Sequence, residues 1–340
     1  MTGRGDRLDW LDAAKGLGII LVVAGHVWTR GPVRDAIYAF HMPLFFLLAG
    51  YVAVPRPARA CLLRQWSSLA VPYIAFLLTL MLADPVIEHL RGHRPLFADV
   101  SQAARAALLG GTELRGPFTI FWFVPCLIVA RLIQNLLAIA WPDPRDWRWA
   151  AAMVAASAIG LWAGEASDYS PLGLLTVPIA LLFLWLGALW RTLPEDRWLL
   201  AVAALASAVL LGSGLLAPLN MKVGDYGTPG WSLFAAAVLS LGLCWVSRVI
   251  PWRPLRALGR MSLVIMFLHV PVIHYLAPYF GQSVLFAVSL IVPACIASFL
   301  SRVGWGRRWF LGTSGSGTHR PSSTGIPSSR TGDFLSRLRR

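Results

Sequence analysis

The sequence predicts an all-α, polytopic membrane helix bundle of about ten transmembrane helices, with both termini cytoplasmic. Hydrophobic residues make up 57% of the 340-residue chain and charged residues only 14%, where soluble domains carry about 25% charged residues. Mean hydropathy is +0.63. The apolar residues fall into long repeated runs, which favours one membrane domain over the two soluble domains the length would allow. Arginines crowd into alternate connections, which sets the orientation.

The expected spans run near 11–29, 36–54, 66–84, 118–140, 148–164, 173–190, 198–217, 230–249, 262–280 and 283–303. Pro and Gly punctuate them at Pro55, Pro57, Pro142, Pro144, Pro194, Pro218, Pro229, Gly230, Pro251 and Pro254, which are turn and loop signals. No short apolar core precedes a small-residue cleavage site, so the first run is expected to stay as a span. With the N-terminus inside, the cytoplasmic connections collect Arg56, Arg59, Arg64, Arg131, Arg145, Arg148, Arg191, Arg248, Arg253, Arg256 and Arg260. The outer ones hold Arg30, Arg34, Lys222 and the arginines of the long 85–117 connection. That connection carries an amphipathic stretch around Ser101–Leu109, suited to an interfacial helix or an outer lid. Residues 1–310 form the expected membrane domain. Residues 311–340 form a Gly/Ser/Pro-rich basic tail, expected to be disordered and cytoplasmic, whose last residues suit a weak contact with anionic membrane lipid.

Net charge is +14, but the cations are scattered between apolar runs and form no single basic face, so nucleic acid is excluded as a partner. Cys61, Cys126, Cys244 and Cys295 are widely separated. They have no metal-ligand spacing and are read as free thiols. No metal site stands out. No span, as bounded above, holds an Asp/Glu pair, and neither a phosphate loop nor a Gly-x-Ser-x-Gly elbow occurs.

The chemistry concentrates elsewhere. Between Lys15 and His26 every residue is Gly or aliphatic. Eleven helical steps at about 100° bring both side chains to one face, about 16 Å apart along the axis. Ionisable groups in such a run are functional candidates by default. Asp12, three residues before Lys15, is placed for an ion pair; interfacial anchoring with Lys15 snorkelling is the competing reading of that pair. His41 opens the second run after a short connection, with Pro43 in its first turn. His26 and His41 are therefore expected to meet at the outer end of an antiparallel hairpin. Two converging imidazoles suit proton transfer. Ser262 and His269, seven residues apart, share a face of the ninth span, where His269 is read either as a site residue or as a packing histidine. His274, His89 and His93 are read as lying nearer the surface. Arg64, near Pro72 and the third span, suits a phosphate or simple positive-inside anchoring. Trp122 suits an aromatic belt or a sugar-stacking platform.

Taken in order, Asp12-Ala-Ala-Lys15-Gly with His26, Phe40-His41-Met-Pro-Leu-Phe-Phe-Leu-Leu-Ala-Gly50-Tyr, Phe121-Trp122-Phe123, and Gly259-Arg-Met-Ser262 with Leu268-His269 resemble the membrane-bound acyltransferase 3 family. They look closest to its fucose 4-O-acetylase-like branch. The resemblance covers roughly residues 7–300. The family's basic residue ahead of the first-helix His is often Arg; here it is Lys15. Val264-Ile-Met-Phe stands where the family usually has a Tyr or a similar polar residue. The resemblance implies transfer of an acyl group, usually acetyl from acetyl-CoA, to a hydroxyl of a carbohydrate or lipid-linked glycan. It implies His26 as leading catalytic residue, with Lys15 and His41 in support. The expected donor contacts are Lys15 and Arg64, and the expected acceptor contacts are Trp122, Ser262, His269 and Asp12. The expected location is the plasma membrane of a bacterium, multi-pass. Two other classes fit ten spans of low charge: a transporter of a glycan or small metabolite without acyl transfer, and a non-enzymatic membrane protein that recruits partners through its tail.

Overall fold

In the computed structural model, residues 4–193, 197–215, 217–250 and 252–313 are described. Among them the chain is helical throughout, with only an isolated bridge between Asn220 and Asp225. The helices are α1 (Arg4–Val27), α2 (Pro32–Tyr38), α3 (His41–Tyr51), α4 (Ala58–Gln65), α5 (Val71–Leu90), α6 (Val100–Leu109), α7 (Phe123–Ala140), α8 (Trp147–Ala166), α9 (Val177–Thr192), α10 (Arg197–Ser213), α11 (Trp231–Val249), α12 (Arg253–Arg260), α13 (Ser262–Leu276), α14 (Gln282–Arg302) and α15 (Gly304–Trp309). Seven helical segments among the described residues are long and apolar enough to cross a membrane, or eight if the bent pair α12–α13 counts as one span. Large apolar side chains stand exposed along them, including Leu82, Trp162, Ile291 and Phe299. That is the surface a hydrocarbon solvent requires.

Two of the ten expected segments are helical but shorter than a full span. The 36–54 run breaks at Phe40 (φ −149°, ψ −10°), which leaves α3 with 11 residues. Nearly all of α3 is buried, so it packs against protein on every side and need not match the bilayer. The apolar part of the 198–217 run is Ala201–Leu211. The ninth segment also differs, because α12 and α13 meet at 78° around Met261.

A third difference bears on the chemistry. The third expected span ends at residue 84, yet α5 continues through Pro85 to Leu90. Proline costs the helix one hydrogen bond and no more where neighbours hold the next turn. Asp84 and Glu88 therefore lie one turn apart on a candidate span, Ala58–Leu90, which corrects the expectation that no span carries a carboxylate pair. The amphipathic stretch beyond it forms α6. Asp99 caps that helix by accepting from Gln102 N at 2.9 Å. Hydrogen bonds from the Ser101 hydroxyl and Gln102 N–H hold the Asp99 carboxyl below its usual range. Of the cysteines, Cys61, Cys126 and Cys244 are buried free thiols and Cys295 is exposed. The expected tail lies outside the described residues from 314 onward.

Helix α1 packs on α11, α12 and α13, and α3 packs on α9. Both main contacts are made by reciprocal glycines. A Cβ on Gly16 would fall 2.0 Å from Leu255 O, and one on Gly259 would fall 1.8 Å from Asp12 O. Likewise Gly50 meets Leu184 O at 1.9 Å and Gly187 meets Leu47 O at 2.0 Å. Backbones this close are the small-residue packing that membrane helices use in place of a hydrophobic driving force. Ion pairs of Asp9 with Arg256 and of Asp12 with Arg260 fasten the α1–α12 seam at its rim.

A Gly259→Ala variant is expected to lose about 1–3 kcal/mol to overpacking, while Gly281→Ala, with open space around its Cβ, should be neutral. Thermal unfolding of the two detergent-solubilised variants checks the difference; equal melting temperatures would contradict the close-contact reading.

Candidate functional site

The bundle has two chemically distinct ends. At the start of α1, Trp10 meets the rings of Tyr51 and Trp190 at 5.2 and 5.4 Å. At its far end lies a histidine cluster. The 24 residues of α1 are unbroken, so Lys15 and His26 do lie on one continuous helix, at opposite ends of its apolar stretch.

His26, His41 and His269 are built alike. Each ring Nδ1 lies on the backbone carbonyl one turn earlier in its own helix: Val22 O at 2.9 Å, Ile37 O at 3.0 Å and Ile265 O at 2.8 Å. A carbonyl can only accept, so Nδ1 carries the proton in each ring. In a neutral ring Nε2 is then the lone-pair nitrogen, the one able to act as a base. His26 is partly exposed, whereas His41 is 4% and His269 0% exposed.

The structure brings His26 and His269 together edge-to-face, with ring centroids 5.0 Å apart. His26 and His41 are joined through Tyr38, whose ring is 5.9 Å from His26 and 4.7 Å from His41. Arg34 stacks over Tyr38 at 4.0 Å, and Tyr38 O accepts from Leu219 N at 3.2 Å. The expected pair of imidazoles is thus a triad of imidazoles with a tyrosine inserted. Among the described residues no group of three or more His, Cys, Asp and Glu side chains is arranged to hold a metal ion.

The other expected site residues lie apart from the triad. Lys15 is ion-paired to Asp12 at 3.4 Å. Asp12 also faces Arg260 at 4.0 Å, so both belong to the α1–α12 seam. Ser262 begins α13 at the bend, about 10 Å along the helix from His269. Trp122 is buried, with Gly173 against its backbone and ring. Arg64 opens onto a cavity of roughly 180 Å³ at the Trp10 end of the bundle, whose lining does not include Lys15.

Two polar groupings escaped the sequence reading. The first joins α5 to α13 near the histidine end. Tyr275 donates to Asp84 at 2.7 Å, and Leu96 N donates to the other Asp84 oxygen at 3.1 Å. Arg91 and His274 both reach Glu88 Oε1, at 2.7 and 3.2 Å. Asp84 is the last residue of the expected third span, and Glu88 and Arg91 fall in the expected 85–117 connection, so their place around the end of one continuous helix was hidden. The second is Lys222, held by Leu114 O at 2.6 Å and Thr119 Oγ1 at 2.7 Å. Nothing in the local sequence distinguishes Lys222 from an ordinary loop lysine.

A family model described as an acyltransferase domain matches residues 8–303. No curated protein and no solved structure matches the chain.

Burial first, and the nearby Arg115 guanidinium second, push Lys222 from 10.5 down to about 8. Its folded form then binds fewer protons than its unfolded form between those values. Stability should rise as pH climbs from about 8 toward 10.5, and the penalty is fully present below about 8. Melting temperatures at pH 7 and pH 9.5 should show this gain in the wild type and a smaller one in Lys222→Met; identical slopes would refute it.

Proposed function

Because the chain belongs to the acyltransferase 3 family, we propose that it is a membrane O-acyltransferase of the fucose 4-O-acetylase-like type, which moves acetyl from acetyl-CoA to a carbohydrate or lipid-linked glycan hydroxyl. The observation that carries this reading is the His26 imidazole. It is the one member of the triad that is partly rather than fully buried, and its Nδ1 is committed to Val22 O, so Nε2 is the nitrogen left to meet a substrate.

In the proposed reaction, His26 Nε2 takes the proton of the acceptor hydroxyl. The sugar oxygen bonds to the thioester carbonyl carbon, the carbon–sulfur bond breaks, and the leaving thiolate takes the proton back from His26. His269, 5.0 Å away, and His41 behind Tyr38 position His26. Two imidazolium charges this close repel, so the triad favours holding one proton at a time, as a shuttle requires. Lys15 and Arg64 are assigned to the anionic part of the donor. Asp12, by pairing with Lys15, holds that cation in place. Trp122 and Ser262 are kept as walls of the acceptor path. The proposed setting is the plasma membrane of a bacterium, with the start of α1 in the cytoplasm where acetyl-CoA is made and the histidine end facing outward.

General-base catalysis contributes about 10²–10⁴-fold. Purified His26→Ala should lose turnover by that factor at unchanged protein level, scored by acetyl transfer and by mass spectrometry of surface glycans from cells with and without the protein. Normal acetylation by His26→Ala would overturn the assignment.

For Lys15→Ala the informative quantity is the KM for acetyl-CoA, which should rise; an unchanged value would remove Lys15 from the donor site.

A further inference from the structure

Lys15 and Lys222 are the only two lysines among 30 Lys and Arg residues. Lys15 is answered by Asp12, whereas no ion pair joins Lys222 to an acid among the described residues. An ammonium carries three N–H donors. Two of them go to neutral oxygens, Leu114 O at 2.6 Å and Thr119 Oγ1 at 2.7 Å, and among the described residues the third has no partner. The charged group that bears on Lys222 is a second cation, Arg115, which is exposed. The carboxylates of this end are committed elsewhere: Glu113 to Arg105, Glu88 to Arg91 and His274, and Asp35 to Arg34. Asp225 is exposed and accepts from Gly227 N in its own turn. If Lys222 only tied two loops together, a neutral donor would do so without desolvating a charge. A half-buried ammonium beside a guanidinium is costly until an anion completes it.

The place of this pair is fixed by the fold. Leu219 N donates to Tyr38 O at 3.2 Å, the Thr176 hydroxyl donates to Met221 O, and Gly224 turns the chain at φ +78°. The first of these bonds ties the Lys222 segment to the tyrosine set between His26 and His41. The segment that receives the ammonium leans on the third imidazole's helix. Thr119 lies two residues before Phe121, whose ring stacks on Phe267 of α13 at 5.0 Å, and His269 follows Phe267 by two residues. A Cβ on Gly116 would come within 3.9 Å of His274 Cε1, about 8 Å along α13 from His269. Both cations thus belong to loops braced on the elements that carry the histidine triad.

We propose that Lys222 and Arg115 form an anion subsite at the histidine end, which takes an acidic group of the acceptor, the carboxylate of a uronate or the phosphate of a phosphorylated sugar. This rests on the glycan-acceptor reading above and narrows it to acidic glycans. The ammonium supplies a point charge with one N–H to spare, and the guanidinium supplies a fork that matches two oxygens of one anionic group. Charge recognition at this subsite selects the acceptor, while His26 keeps the chemistry.

With two lysines in the chain, the site can be read directly. Isotope labelling of lysine Cε for carbon NMR on the purified full-length protein gives two lysine signals, told apart by Lys15→Arg. Methyl β-glucuronide should move the Lys222 signal and raise its titration midpoint from about 8 to about 9 or above; methyl β-glucoside should do neither. Arg115→Gln, at an exposed position, should weaken glucuronide binding about ten-fold and supplies the test where Lys222→Gln fails to fold. In the transfer assay Lys222→Gln should raise the KM for an acidic glycan about ten-fold and leave the KM for its carboxyl-reduced form unchanged, a split that a purely structural loop tie would not produce. A response to glucose 1-phosphate alone would support the subsite and assign it to phosphorylated sugars. A Lys222 signal indifferent to both acidic sugars would overturn the inference, whatever the transfer assay gives. So would an equal response to the glucoside, or a response to phosphatidylglycerol vesicles alone, which would make the pair a lipid contact. Glucuronide binding in a protein that transfers no acetyl group would uphold the subsite and remove the acyltransferase reading.

Discussion

A polar side chain inside an apolar helix must find its partner within reach, and three histidines here solve that problem in the same way. Each donates Nδ1–H to its own i−4 carbonyl. The bond costs no second residue and works in the absence of water. Its consequence is chemical, since it selects one tautomer at three positions and leaves three Nε2 lone pairs. A histidine satisfied by a carboxylate would be held charged, and one satisfied by a donor would hold its proton on the other nitrogen. The helix backbone thus performs the orienting role that a third catalytic residue plays in triads of soluble enzymes.

The glycine contacts turn that local bond into a site. His26 sits on α1 and His269 on α13, and both are referenced to α12. Gly16 and Gly259 press α1 onto α12 at backbone distance, and α13 leaves α12 at a fixed bend. Displacing either seam by the width of a methyl group would shift one imidazole relative to the other. Precision of that order is what proton transfer between a base and its substrate demands. On this view the ion pairs of Asp9 and Asp12 with α12 serve register, because rim pairs contribute little energy on their own.

The legible and illegible parts of the chain divide along physical lines. Apolar runs reveal helices wherever lipid or core demands them, so the helical segments were visible in the sequence, although only seven, or eight with the bent pair, of the ten expected spans are long and apolar enough to cross a membrane among the described residues. Their lengths were not, because α3 is apolar for burial in protein while α14 is apolar for lipid, and composition does not separate the two solvents. His26 and His41 announced themselves as ionisable groups in apolar surroundings. Tyr38 did not, since a tyrosine near a span end is ordinary. Asp84 and Glu88 escaped as a pair because the expected third span ends at residue 84, which leaves Glu88 in the 85–117 connection, whereas the helix continues to Leu90. The cavity that Arg64 shares with Arg56, Arg131 and Arg191 was lost for a different reason: its cations lie on segments far apart in sequence, and each alone satisfies the positive-inside pattern. Only the fold converts a topological bias into a concave charge.

The brevity of α3 has a further consequence for how the two ends cooperate. A helix of 11 residues is about 16 Å long, roughly half the hydrocarbon thickness of a bilayer. His41 is its first residue, and the arginine cavity begins at Val52, the position after its last. The polar chemistry of the two faces therefore approaches to about half a membrane, with α3 buried between them and shielded from lipid. In the proposed reaction, a donor approaching from the Trp10 end need extend only that far to reach the imidazoles. A full-length second span would separate the same groups by about 30 Å. The break at Phe40, which makes α3 short, is what brings the two polar ends this close together.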